Sequence, residues 1–215
     1  EKKSESHIAI WRLPAMRLLM LEAMFVGFGW GAFDVGIPAF ATLEKIPGWS
    51  GPIFACLAIT SVAGGLVAGL ISRKTSALKG LLRTYSLWMI ATLPLALTYP
   101  GWSMAFIALF IGFFGGAVQV FYWEVLEAVR PKGTAVSALG WIWTVEGSFM
   151  AIGAAAGGVV SETYSPQVGL AIMPSMIFIG LIILSIGRGR LSAANDIPTD
   201  DEDLQALENN SSNDK

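Results

Sequence analysis

Six apolar runs, each wide enough to cross the hydrocarbon core of a bilayer, leave this chain little freedom in how it folds. They read Leu18–Ala41, Pro52–Ile71, Leu81–Thr98, Trp102–Trp123, Val136–Val160 and Val168–Ile186, and about 20 apolar residues suffice for one helical crossing. Only 14% of the 215 residues are charged, against about 25% in a soluble domain. Those charges collect between the runs and at the two ends. The runs do not alternate apolar with polar residues, which excludes a transmembrane β-barrel. A hydrophobic content of 54% excludes a soluble enzyme, and a net charge of −2 without a large basic cluster excludes a nucleic-acid binder. The expected fold is an all-α membrane protein of six transmembrane helices.

Turn chemistry separates the runs at Ile46-Pro47-Gly48-Trp49, Tyr99-Pro100-Gly101-Trp102 and Tyr164-Ser165-Pro166. Residues 1–16 read as an N-terminal cytoplasmic segment, 17–190 as the transmembrane domain, and 191–215 as a disordered acidic tail carrying Asp196, Asp200, Asp201, Glu202, Asp203, Glu208 and Asp214. The opening segment is not a signal peptide, because its charges do not lead into a short apolar stretch with a cleavage site. A first residue of Glu suggests a piece cut from a longer chain. The orientation follows from Lys and Arg. Lys2, Lys3, Arg12, Arg17, Arg73, Lys74, Lys79, Arg83, Arg130, Lys132, Arg188 and Arg190 fall on one side of a six-helix path, and Lys45 alone on the other. Both termini are expected in the cytoplasm, with the chain in the cell membrane.

An internal repeat runs at an offset of 85 residues. Val26–Val35 aligns with Ile111–Val120 with five identities in ten positions, and the same offset carries the second and third runs onto the fifth and sixth. Three helices per copy place the copies in the membrane with opposite orientation, a 3+3 inverted repeat of the kind found in secondary transporters.

Ionisable groups at membrane depth are costly and become functional candidates. Asp34 lies past the middle of the first run, and Pro38, four residues on, has no N–H for its carbonyl, so a kink is expected there. A carboxyl beside a freed carbonyl suits a proton, a cation or a substrate amine; the plainer reading is a hydrogen bond to a neighbouring helix. Trp30, one turn below, shares that face. Glu146 lies mid-way along the fifth run with Trp143 and Met150 beside it, and is read as a proton-exchanging carboxyl or a structural hydrogen-bonding group. Gln119 is the repeat partner of Asp34, with Tyr122 nearby, and serves the pathway or joins helices. Glu22, about one turn from the cytoplasmic edge, reads as a residue that snorkels to the interface or pairs with Arg17, and Glu124 and Glu127 as interfacial residues that balance Arg130. With one histidine, His7, and one cysteine, Cys56, neither a metal site nor a disulfide within the chain is expected, and no cofactor is implied. Gly65-x-x-x-Gly69, Gly112-x-x-x-Gly116, Gly153-x-x-x-Gly157 and Ala154-x-x-x-Gly158 read as close-packing stripes. Trp11, Trp49 and Trp102 suit the membrane interface, whereas Trp30, Trp88, Trp123, Trp141 and Trp143 lie where they line a cavity or face lipid.

Arg130-Pro-Lys-Gly-Thr-Ala-Val-Ser-Ala-Leu-Gly-Trp-Ile-Trp-Thr-Val-Glu-Gly147 resembles the segment leading into the eleventh helix of bacterial major facilitator superfamily transporters. Leu13-Pro-Ala-Met-Arg17, with the Gly/Phe-rich run after it and Pro38-Ala-Phe-Ala41, is similar to the start of their seventh helix. Ile71-Ser-Arg-Lys74 stands where the family carries Gly-x-x-x-Asp-Arg-x-Gly, and lacks the Asp and the later Gly. The likeness spans most of residues 10–190 and implies the second, six-helix half of such a permease. It further implies a central cavity lined by the first and fourth helices of each half, which Asp34 and Gln119 would face. The expected function is proton-coupled export of small molecules, not an enzymatic reaction. Its partners would be the bilayer, a small-molecule substrate and the other six-helix half, in the same polypeptide or a second chain. The alternative is a non-transporting six-helix protein that assembles with a partner chain.

Overall fold

The computed structural model describes residues 10–72, 74–97 and 101–195. Lys2, Lys3, His7, Arg73, Thr98, Tyr99, Pro100 and the acidic residues from Asp196 onward lie outside the described residues. The described chain is helical without a strand: α1 (Pro14–Leu43), α2 (Ser50–Ser72), α3 (Ala77–Thr92), α4 (Gly101–Val129), α5 (Ala135–Thr163), α6 (Pro166–Leu170) and α7 (Ile172–Gly187). Short 3-10 turns flank them at Ile10–Arg12, Pro47–Trp49, Leu93–Leu97 and Arg188–Asn195. Six stretches are long and apolar enough to cross a membrane: Pro14–Leu43, Pro47–Ser72, Ala77–Leu97, Gly101–Val129, Ala135–Thr163 and Pro166–Asn195. Each covers the described residues of one of the six apolar runs and extends beyond the run at one or both ends.

Helix ends follow local chemistry. Pro14 opens α1 at a position where its missing N–H is no loss. At the other end, Lys45 adopts φ 59°, and the amides of Lys45 and Ile46 donate back to Thr42 and Ala41 at 3.2 and 2.8 Å, a Schellman closure usually built on glycine. Gly133 supplies the left-handed residue (φ 79°) in the turn before α5. Ser165 caps α6, its hydroxyl accepting from the Val168 amide at 3.3 Å. α1 continues as helix through Pro38 to Leu43.

Two glycine-faced pairs form the frame. A Cβ at Gly27 or Gly31 of α1 would overlap the carbonyl oxygens of Glu146 and Met150 of α5, and one at Gly153 would overlap that of Phe28. The second pair meets likewise: Gly112 and Gly116 of α4 lie against the carbonyls of Leu57 and Ser61 of α2, and Gly64 against that of Phe113. Residue numbers rise together along both contacts, so each pair runs parallel. α3 packs antiparallel on α4, with Gly80 on Phe121 and Trp88 by Gly115, and α7 packs antiparallel on α1, with Gly187 on Leu18 and Gly29 by Met173. The core lies where these helices converge, around Met16, Leu19, Phe33, Leu81, Tyr85, Ile111 and Ile142. α2 and α5 are the least buried spans.

The chain does not leave the bundle at Leu191 as expected. Leu191 and Ala194 are buried, and the Ser76 hydroxyl donates to the Ala194 carbonyl at 3.1 Å. The buried Leu191 and Ala194 side chains and the bond from Ser76 pack this stretch against α3 and α4.

Candidate functional site

A cavity opens between α1, α3, α4 and α5. Glu22, Ala23, Val26 and Trp30 of α1 line it, with Trp88 of α3, Gly115, Val118, Gln119, Tyr122 and Trp123 of α4, and Glu146 of α5. The centre of a water molecule has about 40 Å³ to move in there, against the roughly 10–15 Å³ that one water needs. At about 1.5 Å per residue, Glu22 lies ~12 Å and Trp30 ~24 Å along α1 from Pro14. The cavity therefore occupies the half of the bundle where α1, α3 and α5 begin.

Glu22 organises this site. It is 3% exposed, and the Tyr85 hydroxyl, from α3, donates to its Oε1 at 2.8 Å. The expected pairing with Arg17 does not occur: Arg17 Nε donates instead to the Trp11 carbonyl at 3.0 Å. Glu22 points inward, into the cavity. Gly180 makes room for its partner, since a Cβ there would overlap the Tyr85 hydroxyl. The Tyr122 hydroxyl donates to the Leu19 carbonyl at 3.1 Å, tying α4 to α1. Aromatic rings fix the far wall: Tyr85 stands edge-on to Trp88 at 5.5 Å, and Trp88 tilts against Trp30 at 5.9 Å. Trp88 is 2% exposed, and its Nε1 has no hydrogen-bond partner among the described residues.

Of the residues singled out in the sequence, Glu146, Gln119, Trp30 and Tyr122 come together in this cavity. Asp34 does not line it. It is half-buried, three turns beyond Glu22 and ~30 Å along α1 from Pro14. Trp143 lies in a neighbouring groove between α4 and α5, with Trp123, Leu139 and Arg130. It stacks on Trp123 at 6.5 Å and 15°, so one indole serves both spaces. Arg130 lines that groove and forms an ion pair with Glu127, one of its two expected partners. Sequence reasoning missed Tyr85 and misread Glu22. The signal was there: a buried phenol in an apolar helix needs an acceptor, and an acid eight residues into a span needs a donor. Among the described residues no group of three His, Cys, Asp or Glu stands close enough to hold a metal ion. No family model, curated protein or solved structure matches the chain.

Proposed function

We propose that this chain is one six-helix half of a major facilitator-type secondary transporter, moving a small molecule out of the cell in exchange for protons, with both termini in the cytoplasm. The observation that carries the reading is the cavity itself. Two carboxyls, Glu22 and Glu146, line one cavity within a bundle of largely apolar helices, and acids at that depth have a high cost unless they serve a task. Glu146 is the proton-exchanging group of this proposal, with Gln119, Trp30 and Tyr122 shaping the space around it. Asp34 is a second carboxyl toward the opposite end of α1, and Trp143 guards the adjoining groove.

The helix contacts support a 3+3 inverted repeat. A shift of 85 residues carries Gly27, Phe28 and Gly31 onto Gly112, Phe113 and Gly116, and a shift of 89 carries Leu57, Ser61 and Gly64 onto Glu146, Met150 and Gly153. Together these shifts turn the α2–α4 contacts into the α1–α5 contacts. The second helix of each copy thus needs four residues more than the single offset of 85. The open faces of α2 and α5 support a missing half. On α5, Gly140, Thr144, Gly147 and Ser148 form an exposed stripe of small and hydroxyl-bearing residues, more suited to a neighbouring helix than to lipid tails.

The test is solute-coupled proton movement. Purified chain is reconstituted with a pH-sensing dye inside the vesicles, at protein-to-lipid ratios that give one or two chains per vesicle. The expected result is no response with single chains and a solute-driven pH change with paired chains, or with a second six-helix chain, that Glu146→Gln abolishes. Flux from single chains would overturn the half-transporter reading. Silence toward amines, acids and sugars in every arrangement would leave assembly with a partner as the function. Asp34→Asn tests the second carboxyl: normal pH-driven transport by that variant removes Asp34 from the mechanism.

A further inference from the structure

The chemistry of the cavity specifies more than an acid at depth. It presents two carboxyl groups from different helices, and no Lys, Arg or His lies among its described lining residues to neutralise them. Three indoles, Trp30, Trp88 and Trp123, line the same space, and indole is the aromatic surface that attracts cations best. A separate observation concerns a donor. Trp88 Nε1 is buried without a partner, 3.2 Å from where a Cβ at Gly115 would stand, on a wall that Gly115 shares. A buried N–H left unpaired costs about 1–3 kcal/mol, which an acceptor reaching it along this wall would recover. The remaining space suits a small head group.

We propose that the cavity binds the ammonium head of an alkylamine between Glu22 and Glu146, with Trp88 Nε1 donating to an oxygen carried close to the nitrogen. Amino alcohols and amino ethers combine the two features. Tyr85 is a positioning residue: its bond holds the Glu22 carboxyl in the wall. The inference rests on the transport reading for what binding is for, while the binding itself is measured without transport.

The test uses the full chain in lipid nanodiscs, with tryptophan fluorescence titrated against three probes of one shape: 2-methoxyethylammonium, butylammonium and 1-butanol. The expected order is 2-methoxyethylammonium tightest, butylammonium several-fold weaker, and 1-butanol at least tenfold weaker again. Glu22→Gln and Glu146→Gln each weaken the ammonium probes tenfold or more, whereas Glu162→Gln, at the exposed far end of α5, leaves them unchanged. Trp88→Phe erases the preference for the ether oxygen and keeps the preference for charge. Equal binding of butylammonium and 1-butanol overturns the proposal, as does wild-type affinity in both carboxamide variants. If Glu22→Gln does not yield a monodisperse protein, Glu146→Gln and the probe series on the parent chain decide. Amine binding without flux in paired-chain vesicles overturns the transport reading alone. Flux of another solute without amine binding overturns this inference alone.

Discussion

Glu22, Tyr85 and Gly180 form a three-part fitting in which each residue explains the next. The acid needs a donor, the phenol supplies it at 2.8 Å, and the glycine leaves space for the hydroxyl. Removing the hydroxyl with Tyr85→Phe is expected to cost about 0.5–2 kcal/mol, the range for a hydrogen bond between membrane helices. It would register as a lower melting temperature in detergent. Gly180→Ala is expected to cost more, because the new methyl displaces the ring and breaks the same bond. The double variant should lose clearly less than the sum of the two single losses, since the Tyr85→Phe change has already removed the hydroxyl that would collide; additive losses would separate Gly180 from this fitting. None of this was legible locally, because Glu22 and Tyr85 are 63 residues apart. What could be read was the anomaly of an acid in an apolar run. Its distance from the end of the run suggested an interfacial residue, and the inward-facing side of α1 decided otherwise.

At the scale of helices, the sequence was far more transparent. Six apolar runs became six helical stretches long and apolar enough to cross a membrane, because a helix satisfies the backbone of so apolar a segment within itself. The glycine stripes were legible as motifs, and Gly112, Gly116, Gly153 and Gly157 do lie in tight contact. Their register was harder: in the adjacent pair Gly64 and Gly65, it is Gly64 that meets the neighbouring backbone, while Gly69 faces open space. Spacing alone cannot choose between neighbours about 100° apart on a helix, and only the partner fixes the choice. Gly31→Ala is expected to destabilise the chain by about 1–3 kcal/mol, because the obstacle is a carbonyl that has no rotamer to change. Gly147→Ala, which meets nothing within 4 Å, should be neutral or stabilising by up to about 1 kcal/mol through helix propensity. Thermal unfolding of the two variants side by side checks both, and equal losses would contradict the α1–α5 packing described above.

For the whole molecule, the predictions concern which side faces in and what covers the outer faces of α2 and α5. Lys74 and Gly48 are exposed at opposite ends of α2, so Lys74→Cys and Gly48→Cys, each in a Cys56→Ser background, should label from opposite sides of the membrane. With cytoplasmic termini, Gly48→Cys reacts with an impermeant reagent in intact cells and Lys74→Cys does not; the reverse result inverts the orientation. Gly147→Leu addresses the open face. Its side chain projects away from the bundle, so the isolated chain should stay folded while association with a second six-helix body is lost, as read by cross-linking. The glycine contacts also have a mechanical consequence. Where backbone rests on backbone, a joint has a single seating, and α1 with α5 must travel as one beam. Glu22 and Glu146 stand on that beam, so the backbone positions from which they reach the cavity are set by the glycine seats rather than by α3 or α4. The opposite wall, α3 and α4, is held to α1 by side chains instead: Tyr85 on Glu22, Tyr122 on the Leu19 carbonyl and Trp88 on Trp30, contacts that rotamer changes can remake where the glycine seats leave no such choice.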